Sequence, residues 1–150
     1  MPITGIFNNI SNASGADLKK LESALNYASQ NAQGLELIHS RGVQHADLVI
    51  NHNGINQAEQ EDNGHVTISW DPDTAIEVLD ANGNIVNYES LASNLLHEMA
   101  HAADPYHALN VNIKDAEFDN LAEKIAIART NSIVVPLGED ARIMFVCLPN

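Results

Sequence analysis

A chain of 150 residues, 45% of them hydrophobic, can build one domain around a real core and is too apolar to be wholly disordered. Its formal net charge of -13 repels nucleic-acid phosphates and anionic lipid, so neither is an expected partner, and the acidity serves solubility ahead of any surface for basic partners. The single cysteine, Cys147, excludes an intrachain disulfide and reads as a small apolar residue beside Phe145, Val146 and Leu148. No apolar run approaches the ~20 residues that span a bilayer, and the N-terminus lacks a basic stretch followed by an apolar one, so neither membrane insertion nor a cleavable signal is expected.

In chain order, residues 1–13 carry Asn8, Asn9, Ser11 and Asn12 and are expected as a polar N-terminal arm, with the domain itself spanning 14–150. Ser14 or Asp17 can cap a helix in which Leu18, Leu21, Ala24, Leu25 and Ala28 recur at helical spacing. Gly34 is read as a break before a short helical turn over Leu35, Leu37 and Ile38 that stops before Gly42. His39 and His45 lie on polar-flanked segments and are not expected as ligands. Asp47–Ile50 and Val66–Trp70 are β-rich runs separated by a polar loop over 51–64. Ile76–Leu79 and residues 84–88 flank Asp80-Ala81-Asn82-Gly83, whose Asn-Gly pair predicts a hairpin. Ser90 can cap the next helix, and Asp104-Pro105 ends it, since the residue before proline avoids helical geometry. A further helix is predicted over 115–131 from Phe118, Leu121, Ala122, Ile125 and Ala128, with Glu117, Asp119 and Glu123 on its other sides.

The chemistry concentrates in Leu95-Leu96-His97-Glu98-Met99-Ala100-His101, a His-Glu-x-x-His pattern. Four residues make a little over one helical turn, so both imidazoles leave the same face and can bind one ion. Glu98 then stands where a carboxylate can take the proton of a water beside that ion, the general-base role of zinc hydrolases. Leu91, Leu95, Leu96, Met99 and Ala103 supply an apolar stripe, with Ala92, Ala100 and Ala102 as small neighbours, so the helix reads as buried. Burying His97, Glu98 and His101 without a strong partner costs roughly several kcal/mol, and Zn2+ is the expected partner.

Catalytic zinc takes a third protein ligand, and two residues compete for the place. His107 gives His-Glu-x-x-His-x-x-Asp-x-x-His, the metzincin spacing with Asp104 in place of the glycine that lets the chain turn sharply. Met144 is the sole downstream methionine for a Met-turn. Glu123, on the following helix, gives the His, His, Glu set of gluzincins.

The run Ala122-Glu123-Lys124-Ile125-Ala126-Ile127-Ala128-Arg129-Thr130-Asn131-Ser132-Ile133, followed by Leu137-Gly138-Glu139-Asp140-Ala141-Arg142-Ile143-Met144-Phe145, resembles the tail of NleD-type effector metallopeptidases, similar to toxin tips of Rhs proteins. Ile68-Ser69-Trp70-Asp71-Pro72 resembles the strand and Asp-Pro that precede that family's metal helix, and the likeness covers about the second half of the chain. It implies His97, His101 and Glu123 as zinc ligands and Glu98 as base. Phe145 stands where the family commonly has tyrosine, so a donor to the transition state is sought in Arg142, which can orient substrate or polarise the carbonyl, or in Tyr106, just past the metal helix. Asp104 or Asp119 can orient the imidazoles.

The expectation is a single α+β zincin-like domain, a small antiparallel or mixed sheet packed on the His-Glu-x-x-His helix with a second, ligand-bearing helix. It would hydrolyse peptide bonds in a protein or peptide substrate as a secreted bacterial effector or toxin, delivered by a specialised secretion system and acting in a target-cell cytoplasm. The other readings are a non-catalytic, zinc-stabilised binding module and a metzincin-type protease with His107 as third ligand.

Overall fold

The structure, a computed structural model, describes residues 5–74, 76–79, 82 and 85–142. The Asp80 to Gly83 turn, apart from Asn82, lies outside the described residues, as do Met144, Phe145 and Cys147. The element order is β1 (Asn9–Ser11), α1 (Gly15–Ala28), α2 (Ala32–Ile38), α3 (Arg41–Gln44), β2 (Asp47–Ile50), β3 (Gln57–Gln60), β4 (Val66–Trp70), β5 (Ile76–Leu79), β6 (Ile85–Glu89), α4 (Leu91–Ala103), α5 (His107–Asn110), β7 (Lys114–Asp115), β8 (Asp119–Asn120) and α6 (Leu121–Val134). This is a mixed α+β architecture. Its main sheet has the order β1-β2-β4-β3, with β1, β2 and β4 parallel and β3 antiparallel at one edge. β5 and β6 pair as a separate antiparallel hairpin. Among the described residues no helix is long and apolar enough to cross a membrane.

Strand periodicity puts Leu48, Ile50, Ile68 and Trp70 on one buried face, and α4 lies against it. Trp70 is fully buried and its Nε1 donates to the Leu91 carbonyl at 3.2 Å, joining the last parallel strand to the start of α4. Residues 92–102 of α4 are buried without interruption, because α1, α2, α3 and α6 surround the sides that the sheet leaves open. The His-Glu-x-x-His pattern therefore sits on the central helix of the molecule.

Four expectations are corrected. Residues 5–13 are no arm: Ile6 and Phe7 are buried in the core, and β1 pairs with β2 in register Asn9 to Asp47. Gly34 does not break a helix but lies inside α2, where an added Cβ would meet the Ala28 carbonyl oxygen at 1.7 Å; glycine is needed there for close approach to the end of α1. The helix expected over 115–131 starts later, at Leu121. Asp115 accepts from the N–H groups of Glu117 and Phe118, folding the chain into the β7–β8 turn before Asn120 caps α6. Its buried face is Ala122, Ala126, Ile127, Thr130, Ile133 and Val134, and Ile125 is exposed. Within the expected loop 51–64, the polar segment Gln57–Gln60 forms the edge strand β3.

Candidate metal centre

Caps fix both helices that carry the site. Ser90 accepts from the Ser93 N–H at the start of α4, and Asp104, extended at φ -78 and ψ 110 ahead of Pro105, ends it. Asn120 accepts from the N–H of Glu123, placing that glutamate in the first turn of α6, where the helix dipole favours a carboxylate.

Between the helices, four donor atoms converge. His97 Nε2 and His101 Nε2 lie 3.2 Å apart. The Glu123 carboxylate spans them, with Oε2 3.0 Å from His97 Nε2 and Oε1 3.0 Å from His101 Nε2. For metal–ligand bonds of ~2.05 Å, the edge of a tetrahedron is about 3.3 Å, so these donors are spaced as they would be around one ion. Glu98 is buried, and a carboxylate oxygen lies within 4.8 Å of a nitrogen of each imidazole. The buried His97, Glu98 and His101 group can hold a metal ion.

The electrostatics show why a cation suits this place. Burial pulls the His97 pKa down, but its bond to Glu123 and the charges of Glu98 and Glu123 outweigh that, and it ends above the usual imidazole range. Burial raises Glu98 above the usual carboxyl range against the opposing pull of His97 and His101. Burial also acts to raise Glu123, but hydrogen bonds from His101 and His97 overcome it and hold the carboxyl down at about 2. Each Nε2 is bonded to a Glu123 oxygen at 3.0 Å, and the two nitrogens lie 3.2 Å apart; one divalent cation would take both imidazole lone pairs and the carboxylate together.

The other candidates fall in different places. His107 packs its ring against His101 with centroids 4.9 Å apart but stays out of the converging set. Burial, followed by the charge of His101, lowers its pKa. Tyr106 is 65% exposed. Arg142 is buried, with its backbone N–H and carbonyl bonded to the side chain of Asn131, eight residues or about 12 Å along α6 from Glu123. Asp104 does not orient an imidazole: its carboxylate accepts from Tyr106 N and Asn110 Nδ2, and the buried Nδ1 of His101 has no hydrogen-bond partner among the described residues. Asp119 is exposed at φ 72 in β8.

A cleft of about 410 Å³ opens beside the centre, with His45, Gln60, His65, His101, Asp104 and His107 in its walls. A second lobe of about 430 Å³ shares Gln60, Gly64 and His107 with it and runs on to Val111. Sequence reasoning set His45 aside as a ligand and passed over His65 and Gln60, since polar residues on loops and an edge strand carry no pattern. A separate group, His52, Asp71 and Asp73, is occupied internally: Asp73 bonds His52 and Lys20, and Asp71 accepts from the N–H groups of Gly54 and Asp73. Compared with protein-family models, curated proteins and solved structures, the chain matches none.

Proposed function

We propose that this chain is a zincin-type zinc metallopeptidase domain that hydrolyses peptide bonds in protein substrates. The observation that carries the reading is the convergence of Glu123 with His97 and His101 at 3.0 Å each, with Glu98 buried beside them. His97, His101 and Glu123 are the ligand set, and Glu98 takes a proton from the attacking water and passes it to the departing amide nitrogen. Zinc held there supplies polarisation of the carbonyl and lowers the pKa of a water.

The cleft supports an extended peptide as the substrate. β3 is the antiparallel edge strand of the sheet, its terminal Gln60 lies in both lobes, and an edge strand offers unpaired backbone groups to a strand laid alongside. The resemblance to effector and toxin metallopeptidases makes a secreted bacterial effector the fitting biological setting, with a protein of the target cell as substrate.

The deciding experiment is Glu98→Gln. The variant should keep its zinc content and its thermal unfolding profile and lose proteolysis of a random peptide library. A zinc-stapled binding module would bind its partner equally well with either residue, and unchanged cleavage would remove Glu98 as base.

A further inference from the structure

Hydrolysis of an amide loads negative charge onto the carbonyl oxygen, and one preorganised hydrogen-bond donor aimed at that oxygen is worth about 10²–10³ in rate. The donors suggested by sequence are poorly placed for it: Tyr106 lies in the wall of neither lobe and is largely exposed, and the Arg142 backbone is anchored about two turns along α6 from Glu123. His107 is better placed. Its ring meets that of His101 at 4.9 Å and 65°, and it stands in the walls of both lobes, the first of which His101 also lines, so a chain crossing from one lobe to the other passes His107 next to that proposed ligand.

We propose that His107 is a catalytic residue that donates to the carbonyl oxygen of the scissile bond, a role resting on the peptidase reading above. Its Nδ1 is buried without a partner among the described residues, which leaves Nε2 as the nitrogen to meet substrate, as Nε2–H. The turn that carries it is braced. Asp104 accepts through its carbonyl from His107 N at 3.2 Å and through its carboxylate from Tyr106 N and Asn110 Nδ2 at 2.9 Å each, which holds α5 against the end of α4. As the water oxygen adds to the carbonyl carbon, its proton passes to Glu98 and the C=O π pair moves onto the carbonyl oxygen, where the His107 N–H holds it. That pair re-forms the C=O bond as the C–N bond breaks, and the proton on Glu98 leaves with the amine.

The test uses the 150-residue chain loaded with one equivalent of zinc and a fluorescence-quenched peptide selected from a random library with the wild-type protein. His107→Phe should retain zinc affinity by chelator competition and lose about 10²-fold in kcat with little change in KM. His107→Gln, whose amide can donate, should recover part of the loss. A phosphonamidate of the same peptide should bind His107→Phe more weakly by the same factor, while the uncleaved peptide binds Glu98→Gln equally with or without the imidazole. Loss of zinc from His107→Phe, an effect confined to KM, or an unchanged rate each overturns the role. Wild-type protein that takes up zinc yet cleaves nothing in the library is a distinct result, one that removes the peptidase reading and this role with it.

Discussion

A glutamate in the first turn of a helix is ordinarily satisfied by the dipole and by water. Glu123 has that position and its cap from Asn120, yet its carboxylate is turned onto two buried imidazoles. Glutamine there keeps the shape and the helix start but lacks the negative charge that offsets a divalent ion. Glu123→Gln should therefore leave the far-ultraviolet circular dichroism unchanged and weaken zinc by more than about 100-fold in chelator competition, beyond the loss expected from an outer-shell partner. Retained affinity in that variant, with loss in His107→Ala, would move the third ligand to His107. Asp104 argues against this outcome: where a glycine would let the chain swing sharply back, the braced turn sends it into α5, with the His107 ring packed against that of His101 and not bonded to Glu123 or His97 among the described residues. The signal for Glu123 was already in the chain, since Asn120 followed three residues later by Glu123 is the signature of a helix start. That spacing fixes the glutamate's place on α6; only the packing of α6 on α4 shows which residues it faces.

Elements with a local cause were legible. The reciprocal cap of Ser14 and Asp17 starts α1, Pro105 stops α4, and β-branched and aromatic runs make β2 and β4. Elements made by their neighbours were not. The polar segment Gln57–Gln60 becomes a strand because β4 offers it a ladder, and Gly34 reads as a breaker until the carbonyl of Ala28 is seen beside it. Gly42 is the same case against α4, with an added Cβ 2.1 Å from the Ala102 carbonyl oxygen. The loop after β2 is held by a charge cluster that is equally non-local. His52 bonds Asp73 through Nδ1 and Asp17 through Nε2, tying that loop to α1 and to the turn after β4. The bonds to Asp73 and then Asp17 raise the His52 pKa, so its contribution to stability is complete below the ordinary imidazole value of about 6.5 and fades as pH rises through the raised one. Asp73 is lowered by Lys20 and His52, so its contribution is complete above the ordinary value of about 3.9 and fades as pH falls through the lowered one. His52→Gln should accordingly unfold at a lower temperature than wild type near about pH 5.5 and converge with it in alkaline buffer. A gap that stays constant with pH would mean that packing, not charge, holds the loop.

At the scale of the molecule, the donors come from two helices that are distant in sequence, so an ion between them is a crosslink as well as a reagent. α4 belongs to the sheet core through Trp70 and the buried face of β2 and β4, whereas α6 reaches that core largely across α4. Without an ion, the interface between them holds a carboxylate and two imidazoles bonded to one another, with Glu98 buried beside them. On the proposed reading, zinc would bind the folded arrangement and not the open chain. At about 1,000 times its Kd it adds roughly 4 kcal/mol to stability, and each kcal/mol moves the midpoint of a domain of this size by about 2–4 °C. Excess chelator should therefore lower the unfolding temperature on the order of 10 °C. Magnesium should not restore it, because two imidazoles suit zinc far better than a hard oxygen-seeking ion, and this separates site binding from general screening of the -13 charge. Glu98→Gln should show the full zinc-dependent shift and His97→Ala none, since on the proposed reading the first would remove a base and the second a ligand. Equal midpoints with zinc and with chelator would mean that α4 and α6 are held by packing alone, and the convergence of His97, His101 and Glu123 would then need a different explanation.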